Sequence, residues 1–175
     1  RLTTDGLCAV LGELDGPLTV AVEATLHWAW LNDRLVAQGV TLTQHYSGSP
    51  VCSPARASLL TGRYPHRTCA LTPQEVRGLD RIALDEVTIA DRLRAAGYRT
   101  GMVRKWHLGD YSNAPAYNPI KNGFDVYLGV PHSNDMLPCP LFNNDEMLEP
   151  DIGAAQAKLT GLYTKAAIRF IKDAG

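Results

Sequence analysis

The sequence predicts an α/β fold in which a mainly parallel sheet packs against helices. Apolar segments of strand length alternate along the chain with segments whose apolar residues recur at helical spacing. A glycine follows three of the helical segments, at Gly39, Gly62 and Gly97, where a helix commonly ends. Strands that alternate with helices pair mostly in parallel, because each helix carries the chain back across the sheet.

Composition limits the class of protein. The chain has 175 residues, of which 45% are hydrophobic and 20% charged, and its formal net charge is −1. This is the composition of an ordinary globular domain, and the near-zero charge argues against a nucleic-acid partner or a polybasic membrane surface. No apolar run approaches the ~20 residues of a spanning helix, so we expect no membrane span.

The elements are predicted as follows. Residues 1–25 have no clear pattern and form an atypical N-terminal segment, whereas residues 26–175 form the body of a catalytic domain. Helices are predicted where apolar residues recur at helical spacing: over residues 26–39, from Pro54 to before Gly62 with Ser53 as the cap, over 89–96 with Thr88 as the cap, and over 159–172. Strands are predicted over residues 40–46, 98–103 and 124–130. Residues 63–84 and 131–150 are predicted to be loops.

A first cluster with chemical potential lies around Cys52. If a helix begins near Pro54, Cys52 lies at its N-terminal end and Arg56 about one turn further along. Backbone N–H groups and the helix dipole favour an anion there, and Arg56 adds a permanently charged fork. This arrangement suits a sulfate or phosphate ester held against a nucleophile. A small buried cysteine before an ordinary helix with a surface arginine is the alternative.

A second cluster follows the predicted strand over residues 98–103. Lys105 and His107 lie just beyond the carboxyl end of that strand, where ligand sites of α/β sheets gather. In extended chain their side chains would point the same way, so that one could neutralise an oxyanion while the other protonates a leaving oxygen. A solvated lysine beside a hydrogen-bonded histidine is the alternative.

Together the two clusters resemble the signature motifs of the type I sulfatases. The segments that carry the resemblance are Cys52-Ser53-Pro54-Ala55-Arg56 with Thr61-Gly62-Arg63, and Gly97-Tyr98 and Thr100 leading into Lys105-Trp106-His107-Leu108-Gly109. Their order and spacing are similar to those of the family. The resemblance implies a three-layer αβα sandwich with a mainly parallel sheet, similar to alkaline phosphatase.

The resemblance also implies a chemistry. The motif cysteine, here Cys52, would be converted to formylglycine by a formylglycine-generating enzyme, would serve as a metal ligand, and its hydrate would attack the sulfur of an aryl or carbohydrate sulfate ester. Arg56 would hold the hydrate, Lys105 would bind sulfate oxygens, His107 would contact the nucleophile or the sulfate, and Ser133 aligns with a polar residue that contacts sulfate. A divalent cation, usually Ca²⁺, would offset charge.

The chain also departs from the family pattern. The Asp-Asp pair that binds the metal is not found, since Asp5 and Asp15 are isolated, and Arg104 stands where the family usually has glycine. We expect a truncated N-terminal part of a sulfatase whose remaining ligands lie beyond Gly175. The family implies a periplasmic or secreted protein, although the chain shows no signal peptide. A phosphonate or phosphate ester hydrolase of the same superfamily and a non-catalytic remnant are the alternative functions.

The remaining candidates are weaker. We expect His45, His66 and His132 to be loop or surface residues. Asp125 and Asp135 are expected to be turn residues, with acids that contact the site residues as the alternative. A disulfide between Cys69 and Cys139, both in predicted loops, is possible. None of the four cysteines forms a C-x-x-C pair, which argues against a zinc site.

Overall fold

The computed structural model describes residues 46–74 and 78–174. The chain separates into two units, Arg1–Ser47 and Gly48–Gly175, and all that follows concerns the second. The predicted helix over residues 26–39 lies outside the described residues, as do most of the predicted strand over 40–46, His45, and the isolated acids Asp5 and Asp15.

The described part contains three α-helices and four strands. The helices are α1 (Cys52–Thr61), α2 (Ile89–Ala95) and α3 (Leu159–Ala174). The strands are β1 (Gly101–Val103), β2 (Val126–Gly129), β3 (Leu141–Asn143) and β4 (Glu146–Glu149). Short 3-10 turns lie between them, at Pro65–Arg67, Pro115–Tyr117, Pro119–Lys121 and Gly153–Lys158. No helix among the described residues is long and apolar enough to cross a membrane.

The sheet has the order β1-β2-β3-β4 and is mixed. Strand β1 pairs with β2 in parallel, with Gly101 opposite Val126 and Val103 opposite Leu128, whereas β2–β3 and β3–β4 are antiparallel. Helices and a mixed sheet confirm the predicted α/β class, and the parallel pair leads into the candidate site. The parallel pairing that we predicted for the whole sheet does not extend to β3 and β4.

The predicted loop over residues 131–150 is wrong in its second half, which forms the β3–β4 hairpin. Asn144 and Asp145 form its two-residue turn, and Asn144 has φ 56°, a left-handed conformation that asparagine tolerates. Strand β3 buries Leu141 and Phe142, but every residue of β4 is exposed. An exposed edge strand needs no alternation of apolar and polar residues, so no periodic pattern marks β4 in the sequence.

Helix α1 begins two residues earlier than predicted. Cys52 is its first residue and Val51 its N-cap, without a side-chain cap, so Ser53 is not the cap. Ser53 is instead buried in the first turn, and its Oγ has no hydrogen-bond partner within the described residues. The predicted end is confirmed, because Gly62 takes the left-handed conformation and donates its N–H to the carbonyl of Ser58.

Helix α2 begins as predicted. Thr88 and Asp91 form a reciprocal capping box, in which the Thr88 hydroxyl accepts from the Asp91 N–H and the Asp91 carboxylate accepts from the Thr88 N–H. The predicted buried face is wrong, since Ile89 is exposed and Ala90 is the buried residue of the helix. The helix packs closely on Gly123, where a Cβ would lie 2.8 Å from the carbonyl carbon of Ala90.

The core lies on both sides of β2. One apolar cluster contains Trp106, Phe124 and Tyr127, and the other contains Leu128, Val130 and Leu159. Helix α3 packs directly on β1, because the Phe170 ring lies 2.7 Å from the place a Cβ would occupy at Gly101. A side chain at that position would therefore force helix and sheet apart. Trp106, which is fully buried, ties the loop after β1 to this core.

Candidate active site

Cys52 lies at the N-terminal end of α1, as the motif requires. Its thiol is free and half-buried, at the end of the helix where the dipole is positive. Arg56 lies four residues further along the same helix, so the two side chains share one face. The first cluster is thus assembled on a single rigid element.

Arg56 joins this helix to the loop that carries the second cluster. Its Nε donates a hydrogen bond of 2.7 Å to the carbonyl oxygen of Trp106, and its Nη2 donates to the carbonyl oxygen of Lys105. The side chain is half-buried, so the alternative of a surface arginine is wrong. Two carbonyls on consecutive residues match the fork of a guanidinium, which a lysine could not replace. The structure therefore brings the two predicted clusters together through Arg56.

The loop that follows β1, residues 104–109, continues beside the chain that follows β2. The N–H groups of Arg104, Trp106 and His107 donate to the carbonyls of residues 128, 130 and 131 at 2.9, 2.9 and 2.8 Å. Lys105 and His107 therefore lie at the carboxyl ends of two parallel strands, as predicted. The chain is not extended here, since Arg104 has φ 120° and His107 φ 56°. Strand alternation therefore does not align the side chains of Lys105 and His107, as we had predicted from an extended chain.

A buried tyrosine pair supports the same loop. The Tyr127 hydroxyl lies 3.1 Å from the carbonyl oxygen of Arg104 and 2.9 Å from that of Val130, and it accepts a hydrogen bond from the Tyr111 hydroxyl. Burial raises the pKa of both tyrosines well above the usual value, so both hydroxyls keep their protons. Tyr127 was not among the predicted site residues, because nothing in its own sequence context marks it.

His107 is buried beside the site with only 4% of its surface exposed. Its Nε2 lies 2.9 Å from the carbonyl oxygen of Pro73, and its Nδ1 has no hydrogen-bond partner within the described residues. Burial lowers the pKa of His107, and the positive charges of Lys105 and Arg56 lower it further, against the opposing effect of the Pro73 bond. The imidazole is therefore uncharged near neutral pH.

Ser133 and Asp135 complete the group around Lys105. Ser133 is buried, and a hydrogen bond from its side chain is the main cause of the lowered pKa of Asp135, with the backbone N–H of Asp135 and the charges of Lys105 and His107 contributing. Asp135 is thus an anion near the two predicted site residues. The sequence favoured a turn role for Asp135. Its position two residues after Ser133 was the one indication that it could contact the site residues.

The described residues do not by themselves fit a metal ion. Within residues 46–74 and 78–174 no three His, Cys, Asp or Glu side chains form a group that could hold one. Cys52 is the predicted ligand that this part of the chain contains, and a single ligand does not define a Ca²⁺ site, which needs six to eight oxygens.

The weaker candidates have structural roles. Cys69 is exposed and Cys139 buried, and both are free thiols, so the possible disulfide between them is wrong. Asp125 accepts hydrogen bonds from the N–H and hydroxyl of Thr100, which lowers its pKa and fits the predicted turn role. His66 is exposed and stacks on Tyr64, as expected of a surface residue, whereas His132 is half-buried.

Comparison with known proteins extends the motif evidence. The profile named Sulfatase matches residues 25–173, which is most of the chain. The chain belongs to the sulfatase family.

Individual relatives agree with this assignment. The chain is 35% identical over 164 residues to N-acetylgalactosamine-6-sulfatase of Rattus norvegicus, a match that covers 80% of this chain and 30% of that protein. It is 41% identical over 104 residues to arylsulfatase G of Canis lupus familiaris, covering 59% of this chain and 19% of the relative. This sulfatase chain thus spans less than a third of the curated relatives it matches.

Solved structures support the same fold. A protein of glycosaminoglycan metabolism from Bacteroides thetaiotaomicron superposes with a TM-score of 0.53 and 37% identity, over 66% of this chain and 26% of that one. Ps i-CgsB, solved in complex with k-i-k-neocarrahexaose, superposes with a TM-score of 0.51 and 28% identity, over 69% of this chain and 32% of that one. The α/β, alkaline phosphatase-like fold class of the sulfatases therefore applies to this chain.

Proposed function

We propose that the protein is a sulfuric ester hydrolase that cleaves a carbohydrate sulfate ester with a formylglycine made from Cys52. The observation that carries the proposal is the pair of hydrogen bonds from Arg56 to the carbonyls of Lys105 and Trp106. These bonds join the helix that begins at Cys52 to the loop of Lys105 and His107. The names of the relatives and the oligosaccharide bound by one similar structure favour a sugar sulfate, and a sugar 6-sulfate is the first substrate to test.

Each site residue of this chain has its own role in the proposed reaction. The modified Cys52 side chain would supply a nucleophilic hydroxyl where the dipole of α1 favours developing negative charge. Lys105 binds sulfate oxygens through its ammonium, which is a compact charge. The carboxylate of Asp135, hydrogen-bonded to Ser133, attracts this ammonium and restricts the positions that it can take. The Ser133 hydroxyl would donate to the sulfate only by turning its proton away from Asp135. His107, uncharged in its buried position, can accept a proton. Arg56 holds helix and loop at fixed distance.

Partners and cofactors follow from the same proposal. Conversion of Cys52 requires a formylglycine-generating enzyme that reads the Cys52-x-Pro54-x-Arg56 segment. A divalent cation, Ca²⁺ by the family resemblance, would be bound by the modified Cys52 and would need further ligands from parts of the protein other than residues 46–74 and 78–174. A periplasmic or secreted location fits the maturation requirement and remains part of the proposal.

The test is the mass of the tryptic peptide that contains Cys52, from chain co-expressed with a formylglycine-generating enzyme. We expect an aldehyde or its hydrate in place of the thiol. The peptide with Cys69, an exposed free thiol outside the motif, serves as the unconverted control in the same digest. An intact Cys52 thiol, in cells that convert a known sulfatase, would contradict the proposal and favour a non-catalytic remnant.

A further inference from the structure

The surroundings of His107 distinguish its two ring nitrogens. A carbonyl oxygen can only accept a hydrogen bond, so Nε2, at 2.9 Å from the Pro73 oxygen, must carry a proton. A neutral imidazole has one N–H and one lone pair. The lone pair therefore lies on Nδ1, the buried atom without a partner among the described residues.

The Pro73 carbonyl is itself held in place. The N–H groups of Leu71 and Thr72, just before Pro73, both donate to the carbonyl of Leu79, at 2.6 and 3.1 Å. Ile82, which follows this turn, donates its N–H to the carbonyl of Leu108, beside His107. The loop that presents the Pro73 oxygen is thus tied to the loop that presents the imidazole.

The ring cannot easily turn to exchange its nitrogens. The neighbouring residues Trp106 and Leu108 are fully buried, and the backbone N–H of His107 donates to the carbonyl of Pro131 at 2.8 Å. Turning the ring would move the Nε2 donor away from the Pro73 oxygen and break this hydrogen bond, which is unfavourable at a buried site. The Pro73 carbonyl and the hydrogen-bonded backbone of His107 thus specify one orientation of the imidazole ring.

We propose that the backbone carbonyl of Pro73 is a positioning group that fixes His107 as the Nε2–H tautomer and so reserves Nδ1 as its proton-accepting atom. This deepens the proposed function, in which His107 accepts a proton. It also assigns a role in the site to a loop that none of the sequence motifs includes. Without the Pro73 contact both tautomers would be populated, and a fraction of the molecules would present an N–H where an acceptor is needed.

The test is a long-range ¹H–¹⁵N correlation spectrum of the chain labelled with ¹⁵N-histidine, recorded near neutral pH. The chain has five histidines, and a His107→Gln variant assigns the signal of His107. We expect Nδ1 at the far-downfield position of an unprotonated nitrogen and Nε2 at the protonated position. The reverse pattern, two averaged positions or a doubly protonated ring would overturn the proposal.

Two variants test the contact independently of the spectrum. In His107→Gln the amide nitrogen can occupy the place of Nε2 and still donate to Pro73, whereas the shorter side chain of His107→Asn cannot reach it. We expect His107→Asn to lower Tm by more than His107→Gln, with His66→Gln, on the exposed histidine, unchanged. Equal Tm values for the two His107 variants would contradict the proposal.

Both measurements use the thiol form of Cys52. Their outcome is therefore independent of whether Cys52 is converted. A wrong tautomer with a converted Cys52 would remove this inference and leave the proposed function in place. The expected tautomer with an unconverted Cys52 would do the opposite.

Discussion

The loop over residues 104–109 and the β3–β4 hairpin both contain backbone that L-residues adopt reluctantly, but they are stabilised in different ways. In the hairpin the left-handed residue is Asn144, a residue type that tolerates this conformation. Its Oδ1 also accepts a hydrogen bond from the Tyr127 N–H, and its carbonyl oxygen accepts one from Asn118 Nδ2. In the loop the unusual residues are Arg104 and His107, and their conformations depend on distant groups: Arg56, Tyr127 and the chain after β2. The turn thus combines a suitable residue with tertiary hydrogen bonds, whereas the site loop depends on tertiary support for residues less suited to their conformations.

The largest effect should follow from removing the nucleophile. Cys52→Ala should hydrolyse a sugar 6-sulfate about 10⁴-fold or more slowly than the converted protein, because no other group replaces a covalent nucleophile. Cys69→Ala is the matched control and should keep its rate. Initial rates of sulfate release measure both, and a near-normal rate for Cys52→Ala would exclude the proposed mechanism.

The next effect concerns the support of the loop by α1. Arg56→Lys should lower the hydrolysis rate by about 10²-fold and the free energy of unfolding by about 2 kcal/mol, because one ammonium cannot serve both carbonyls. Arg63→Lys is the control, since Arg63 is exposed and pairs with Glu86 at 2.5 Å, where a lysine can also pair. Rates and denaturant unfolding, measured together, test this prediction. Equal losses in the two variants would mean that Arg56 has no special role.

A smaller loss is expected at the tyrosine pair. Tyr127→Phe should lower the free energy of unfolding by about 1–3 kcal/mol, because the Tyr111 hydroxyl and two backbone carbonyls lose a buried partner. Tyr163→Phe is a matched control, because the buried Tyr163 hydroxyl has no hydrogen-bond partner within the described residues. Urea unfolding should show little change there. A Tyr127→Phe variant as stable as Tyr163→Phe would refute the supporting role.

The smallest effect tests the comparison directly. Arg104→Gly should raise the free energy of unfolding by about 1 kcal/mol, because the relief of steric strain at φ 120° outweighs the opposing entropy that glycine gains in the unfolded state. Asn144→Gly, in the hairpin turn, should instead lower it by about 1 kcal/mol, because the Tyr127 N–H loses the Asn144 Oδ1 as its acceptor while asparagine already tolerates the conformation. Thermal unfolding of the two variants tests both expectations. A less stable Arg104→Gly variant would mean that the contacts of the Arg104 side chain stabilise the fold by more than the backbone strain at Arg104 destabilises it.

The sequence predicted those parts of the site that depend on residue identity. The spacing of Cys52 and Arg56, and the place of Lys105 and His107 after a strand, put both pairs where the structure has them. The contribution of Pro73 could not be predicted, because it acts through a carbonyl that every residue has.

The fold was predictable where signals were local and periodic. Thr88 with Asp91 marked the start of α2, and Gly62 the end of α1. The face of α2 that is buried and the pairing of β3 with β2 depend on which other elements pack nearby. Strand β4, with all its side chains exposed, carries no such pattern at all.

The hydrogen bonds of Arg56 also have a consequence for the order in which the chain folds. They join residues separated by 49 and 50 positions, whereas the β3–β4 hairpin closes through two turn residues. Closing a long segment costs more chain entropy and takes longer than forming a hairpin, so the hairpin can form early and the Arg56 contacts late. A refolding molecule would therefore have much of its secondary structure before Cys52 faces the loop of Lys105 and His107.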